Sequence, residues 1–152
     1  MPELWLALFD EEPPHPAARP VGNRAGADSI HATVIVVDDD EPGRRITARL
    51  LREEGHNVIE AHSAFEALHR LRLLKDVRVV LADIAMPQMN GLQLAEIVST
   101  DFPGVSVILM SGYTSLLPRV GSREAKFPLL MKPFTGEQLA RQIRSMLGGE
   151  QH

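Results

Sequence analysis

From residue 32 onward, apolar runs alternate with stretches whose apolar residues recur at helical spacing. The run TVIVV (33–37) is continuously apolar and β-branched, as expected of a strand buried on both faces of a parallel sheet. After Pro42, which suits a first helical turn, Ile46, Leu50 and Leu51 repeat at helix spacing until Gly55 stops the pattern. NVIEA (57–61) predicts a second strand, and Ser63 caps a helix carrying Phe65, Leu68 and Leu71 on one face. VRVVLA (77–82) is the third strand, and GLQLAEIVST (91–100) the third helix, with Leu94, Ile97 and Val98 close to one stripe. VSVILM (105–110) and FPLLM (127–131) complete five strands. TGEQLARQIRSML (135–147) closes the pattern with Leu139, Ile143, Met146 and Leu147 inward. Between strands four and five, Pro118 and Gly121 interrupt any helix, so the fourth helix is expected to be short, irregular or mobile. Strands separated by helices imply right-handed crossovers and a doubly wound α/β sheet with helices on both faces. Ligands of such sheets bind beyond the carboxyl ends of the strands.

The first 30 residues do not share this pattern. Glu11 to Ala27 contains four prolines, two glycines and almost no large apolar residue, and so cannot bury enough surface to offset its ordering entropy. Residues 1–30 are read as a flexible tail or linker, 31–148 as the domain and 149–152 as a disordered end. The hexamer LWLALF (4–9) is read as a frayed terminus in preference to a docking turn, and it is too short to cross a bilayer. At 152 residues, 44% hydrophobic and 24% charged, the chain fits one globular domain with a tail. A net charge of −4, with no dense basic stripe, disfavours direct nucleic-acid binding. Cysteine is lacking, which excludes disulfides and thiolate metal sites and agrees with a cytoplasmic location.

The chemistry-bearing side chains fall at the carboxyl edge of the expected sheet. Asp38, Asp39 and Asp40 follow strand one, Asp83 strand three, Ser111 strand four and Lys132 strand five. Mg²⁺ takes oxygen ligands and keeps several waters, so two or three carboxylates and a backbone carbonyl make a sufficient partial cage. Asp39 and Asp83 are expected to ligate directly, Asp38 through water, and Ala85 by its carbonyl. A carboxylate oxygen of Asp83 can attack phosphorus once positive charge neutralises the transferring group, and Lys132 would supply part of that charge. Ser111 would donate its hydroxyl to a phosphoryl oxygen after transfer and pull the loop behind strand four inward. Each residue alone has a structural reading as turn, cap or solvated side chain; their joint placement carries the functional one.

With VIVVDDDE (34–41), VVLADIAMPQMNG (79–91), ILMSGY (108–113) and LMKPF (130–134) in order, the chain resembles the receiver domains of two-component response regulators over roughly residues 32–148. The resemblance implies a flavodoxin-like (α/β)5 fold and Mg²⁺-dependent phosphoryl acceptance on Asp83 from a histidine kinase or histidine phosphotransfer protein. It also implies output by contact with a downstream protein, and admits a phosphorylation-linked homodimer. By that likeness Asp38 and Asp39 are the acidic pair, Ser111 the switch hydroxyl, Lys132 the partner lysine, and Lys132–Pro133 a cis bond. Such a domain is a regulatory phosphoacceptor and not an enzyme, apart from catalysing its own phosphorylation and dephosphorylation. Met86, Pro87 and Gly91 fit the turn after the acceptor, where glycine tolerates backbone angles other residues resist.

One departure is Leu129, where many receivers carry an aromatic residue that rotates inward; Tyr113 and Phe127 are the candidate replacements. That gap and the interrupted fourth helix lead to an expectation of altered output geometry. The chain could act as a stand-alone receiver or belong to a hybrid sensor kinase, and with no output domain following, any DNA effect would be indirect. Two rivals stand beside this reading. A haloacid-dehalogenase-type phosphatase would use Asp38 and Asp40 as a D-x-D pair but needs a later acidic pair, for which only the isolated Glu137 and Glu150 remain. A phosphorylation-independent receiver-like binding module is opposed by the acidic pair and Lys132.

Overall fold

The five apolar runs form β1 (Thr33–Val37), β2 (Asn57–Ala61), β3 (Val77–Asp83), β4 (Ser106–Ser111) and β5 (Leu129–Met131). In the computed structural model, which describes residues 31–112 and 126–149, they make one parallel sheet of order β2-β1-β3-β4-β5. Every residue of β1 is buried, as a β-branched strand must be when helices cover both faces. The connecting helices are α1 (Glu41–Glu53), α2 (Ala64–Leu73), α3 (Gly91–Asp101) and α4 (Gly136–Gly149). α1 packs against α4, and α2 against α3.

Side chains alternate across a strand, so the sheet has two cores. Ile35, Val37, Val80, Ala82, Val107 and Leu109 face α2 and α3, where they meet Leu68, Leu71, Leu94 and Val98. Val34, Val36 and Leu81 belong to the opposite face, and the buried Leu51, Leu139, Ile143 and Leu147 come from α1 and α4.

Several expectations are corrected. Ile46 is 59% exposed and Phe65 54% exposed, so neither lies on its helix's inner face. The inner face of α1 is Thr47, Ala48 and Leu51, and that of α2 includes Ala64, Ala67, Leu68 and Leu71. Met146 is only half-buried. β5 is shorter than FPLLM because pairing starts at Leu129, opposite Leu109. Pro128 contributes its carbonyl, which accepts from the Leu109 N–H at 2.9 Å, and has no N–H to return. Gly91 does not owe its place to a positive φ; among the described residues that conformation belongs to Gln88 (φ 67°) and Gly55 (φ 96°). The expected tail to residue 30, the expected irregular fourth helix and Tyr113 within 113–125, and residues 150–152 of the expected disordered end lie outside the described residues; Gly149, read as the first residue of that end, closes α4 instead. No described helix is long and apolar enough to cross a membrane.

Candidate metal and phosphoryl site

The strand order reverses between β1 and β3, which opens a crevice at their carboxyl ends. Asp38 and Asp39 leave β1 there, and Asp83 ends β3. One carboxylate oxygen from each of Asp38, Asp39 and Asp83 lies within 4.8 Å of the others. Oxygen-only donors at that spacing suit a hard divalent cation, so the residues present fit Mg²⁺. Asp38 is fully buried, whereas Asp39 is exposed.

Lys132 closes the cluster from β5. Its Nζ is 3.0 Å from Asp38 Oδ2 and 3.6 Å from Asp83 Oδ2. The Lys132 N–H also donates to the Ser111 carbonyl at 2.9 Å, which ties the start of the β5 exit loop to the end of β4. Lys132–Pro133 is cis, as the motif implies. Ser111 is buried on the strand beside Asp83, one residue beyond Met110, its register partner.

The electrostatics are those of crowded carboxylates around one ammonium. Burial pushes the Asp83 carboxyl up to about 6; Lys132 opposes the rise, and the charge and hydrogen bond of Asp38 add to it. A backbone hydrogen bond with Ala85 favours the ionised form of Asp83. Burial works against charge on Lys132 but is outweighed by its hydrogen bond to Asp38 and the charge of Asp83, so its pKa lies above the ordinary value.

Gly91 sets how near α3 can come. A Cβ at this position would overlap the Asp83 carbonyl oxygen, and the Gly91 N–H donates to the Ile84 carbonyl at 3.0 Å. Asn90 and Gln93 then close a reciprocal capping box on α3. Asp40 does not join the cluster: its carboxylate caps α1, accepting from the Gly43 N–H at 3.0 Å. Asp40 serves the helix while Asp38 faces Lys132, which disfavours the D-x-D pairing of the phosphatase alternative. Phe127 and Leu129 both pack against the α2/α3 core.

Two residues at the site carried no sequence signal. Arg44 donates from Nη1 to the Asp38 carbonyl at 3.0 Å and from Nε to Glu60 Oε1 at 3.1 Å. Nothing in the string distinguishes Arg44 from the adjacent Arg45, which is exposed and pairs with Glu41.

Comparison with known proteins agrees with this geometry. The family model described as response regulator receiver domain matches residues 34–144. The sensor kinase CckA of Brucella abortus is 36% identical over 118 residues, a match covering 76% of this chain but only 12% of the kinase. A chemotaxis protein CheY homolog of Campylobacter jejuni is 32% identical over 121 residues, covering 76% of this chain and 92% of that protein. The crystal structure of a CheY-like receiver domain protein from Methanospirillum hungatei superposes with a TM-score of 0.71 at 30% identity, covering 80% of this chain and 98% of the other. With four motifs in order, a matching strand order and an acidic crevice at the switch point, the chain belongs to the response regulator receiver domain family, the phosphorelay modules of two-component signalling.

Proposed function

We propose that Asp83 accepts a phosphoryl group from a phosphohistidine of a sensor kinase or histidine phosphotransfer protein. The observation that carries this reading is the clustering of three carboxylates within 4.8 Å of one another, two of which, Asp38 and Asp83, face Lys132 Nζ at 3.0 and 3.6 Å. Asp38, Asp39, Asp83 and the Ala85 carbonyl would hold Mg²⁺, which when bound supplies charge neutralisation for the phosphoryl oxygens. A carboxylate oxygen of Asp83 attacks phosphorus as the phosphorus–nitrogen bond breaks, and the imidazole departs with the bond's electron pair. Lys132 then pairs with a phosphoryl oxygen in place of the Asp83 oxygen it now faces at 3.6 Å. Ser111 donates its hydroxyl to another phosphoryl oxygen, and the shift of its loop is the signal.

The output is contact with a downstream protein, in the cytoplasm, with a phosphorylation-linked homodimer as one form it can take. The length of CckA beyond the match supports an origin within a hybrid kinase, and the near-complete match to the CheY homolog supports a stand-alone receiver. Full-length chain incubated with a small phosphodonor and Mg²⁺ should gain one hydroxylamine-labile phosphoryl group by intact mass. Asp83→Asn should gain none; continued labelling of that variant would refute the acceptor assignment.

A further inference from the structure

Asp38 is held at every polar atom that the backbone and side chain offer. Its N–H donates to the Ala61 carbonyl at 3.1 Å. Its Oδ1 accepts from the Asp40 N–H at 3.0 Å, and its Oδ2 faces Lys132. The fourth atom, the backbone carbonyl oxygen, accepts from Arg44 Nη1 at 3.0 Å. That carbonyl belongs to the planar peptide unit joining Asp38 to Asp39. Whatever orients it also orients the departure of the chain into Asp39, the exposed member of the acidic cluster.

Arg44 is itself held from the far side. Its Nε donates to Glu60 Oε1 at 3.1 Å, with the two side chains 13% and 26% exposed. Glu60 Oε2 is met by Arg52 Nη1 at 3.4 Å, and Arg52 Nη2 donates to the Val58 carbonyl at 3.0 Å. A guanidinium has a rigid planar fork, so engaging Nε with a carboxylate fixes where Nη1 points. The chain of contacts runs from the edge strand β2 through α1 to the acidic loop.

We infer that Arg44, braced by Glu60, is a positioning residue: the pair fixes the Asp38–Asp39 peptide and so presents the Asp39 carboxylate to the cation. This inference rests on the reading of Asp38, Asp39 and Asp83 as the Mg²⁺ cage. Partners behind metal ligands commonly govern affinity by aiming the ligand, without touching the ion.

Charge alone predicts something different. Removing Arg44 takes a positive charge away from the acidic loop and would draw a cation in, whereas neutralising Glu60 takes a negative charge away and would repel it. Under a purely electrostatic role, Arg44→Met therefore binds Mg²⁺ as tightly as wild type or tighter, and only Glu60→Gln binds it more weakly. Under the positioning role both substitutions weaken binding, because either one lets the peptide turn.

The test is calorimetric Mg²⁺ titration of the full chain, with phosphodonor labelling of the same samples. Arg44→Met and Glu60→Gln should each raise the Mg²⁺ Kd by about tenfold, while labelling at saturating Mg²⁺ stays near the wild-type rate. The double variant should bind no more weakly than Arg44→Met, since Glu60 acts through Arg44. Arg44→Lys, which keeps the charge but not the fork, should fall between, and it remains the decisive variant should Arg44→Met not fold. Unchanged or tighter binding by Arg44→Met, wild-type affinity in Arg44→Lys, or additive effects in the double variant would each overturn the inference. Wild type that binds no Mg²⁺ would remove the cage reading and this inference with it. Wild type that binds Mg²⁺ but takes no phosphoryl group would remove only the acceptor assignment.

Discussion

Gly91 shows what a single residue can and cannot announce. Its place in MPQMNG pointed to a turn that needs glycine's backbone freedom, yet the positive φ of that loop is carried by Gln88. What glycine supplies is proximity, because any Cβ would run into the Asp83 carbonyl. Gly91→Ala should lower stability by about 1–3 kcal/mol, the cost of forcing an atom into a filled space, read from the urea midpoint. A wild-type midpoint would mean that the start of α3 can retreat from Asp83. The residues of the proposed site were legible for the opposite reason. Asp38, Asp39, Asp83 and Lys132 are types that seldom sit at the end of buried strands without a task, and an ordered set of strands brings them to one edge. Arg44 and Glu60 were not legible, since a helix-surface arginine and an edge-strand glutamate are ordinary until their contacts are seen.

At the scale of the element, all five strands were readable because a continuous apolar run has few alternatives between helical patterns. The helix faces were less so. Hydrophobicity selected Ile46 on α1 and Phe65 on α2, whereas the structure turns Thr47 and Ala48, and Ala64 and Ala67, toward the sheet. Small residues let a helix approach a sheet closely, and a scale that rewards large apolar side chains overlooks that demand. The α1 N-terminus offers a separation of roles that can be tested. Asp40 caps the helix through its side chain, while only its backbone N–H reaches Asp38. Asp40→Ala should therefore cost about 1 kcal/mol of stability and leave phosphodonor labelling of the chain intact. Loss of labelling would place the Asp40 carboxylate among the reacting groups and return weight to a D-x-D arrangement.

For the molecule as a whole, two buried groups at opposite edges of the sheet set opposing pH dependences. His56, just before β2, accepts the Ala32 N–H on Nδ1 at 3.1 Å and meets the His31 ring edge-on. Burial, with the nearby charges of His31 and of Arg144 on α4, lowers its pKa from 6.5 to about 4. Between those values the unfolded chain holds the extra proton, so His56 contributes stability that is full above pH 6.5 and is lost as pH falls toward 4. Asp83 runs the other way. Its pKa rises from 3.8 to about 6, so the folded chain holds the extra proton between them. The ionised carboxylate then destabilises the fold above pH 6, and that penalty is relieved on acidification. Between about pH 4 and 6 the two effects therefore oppose one another. Without divalent cation, Asp83→Asn should be more stable than wild type at pH 7, the cost of a buried acidic cluster having been removed. Urea unfolding of Asp83→Asn in chelator should then expose the His56 slope, with stability falling from pH 6.5 toward 4 more steeply than in wild type. Parallel profiles for the two proteins would mean that Asp83 titrates alike folded and unfolded, and that the crowding of carboxylates around Lys132 costs the fold nothing.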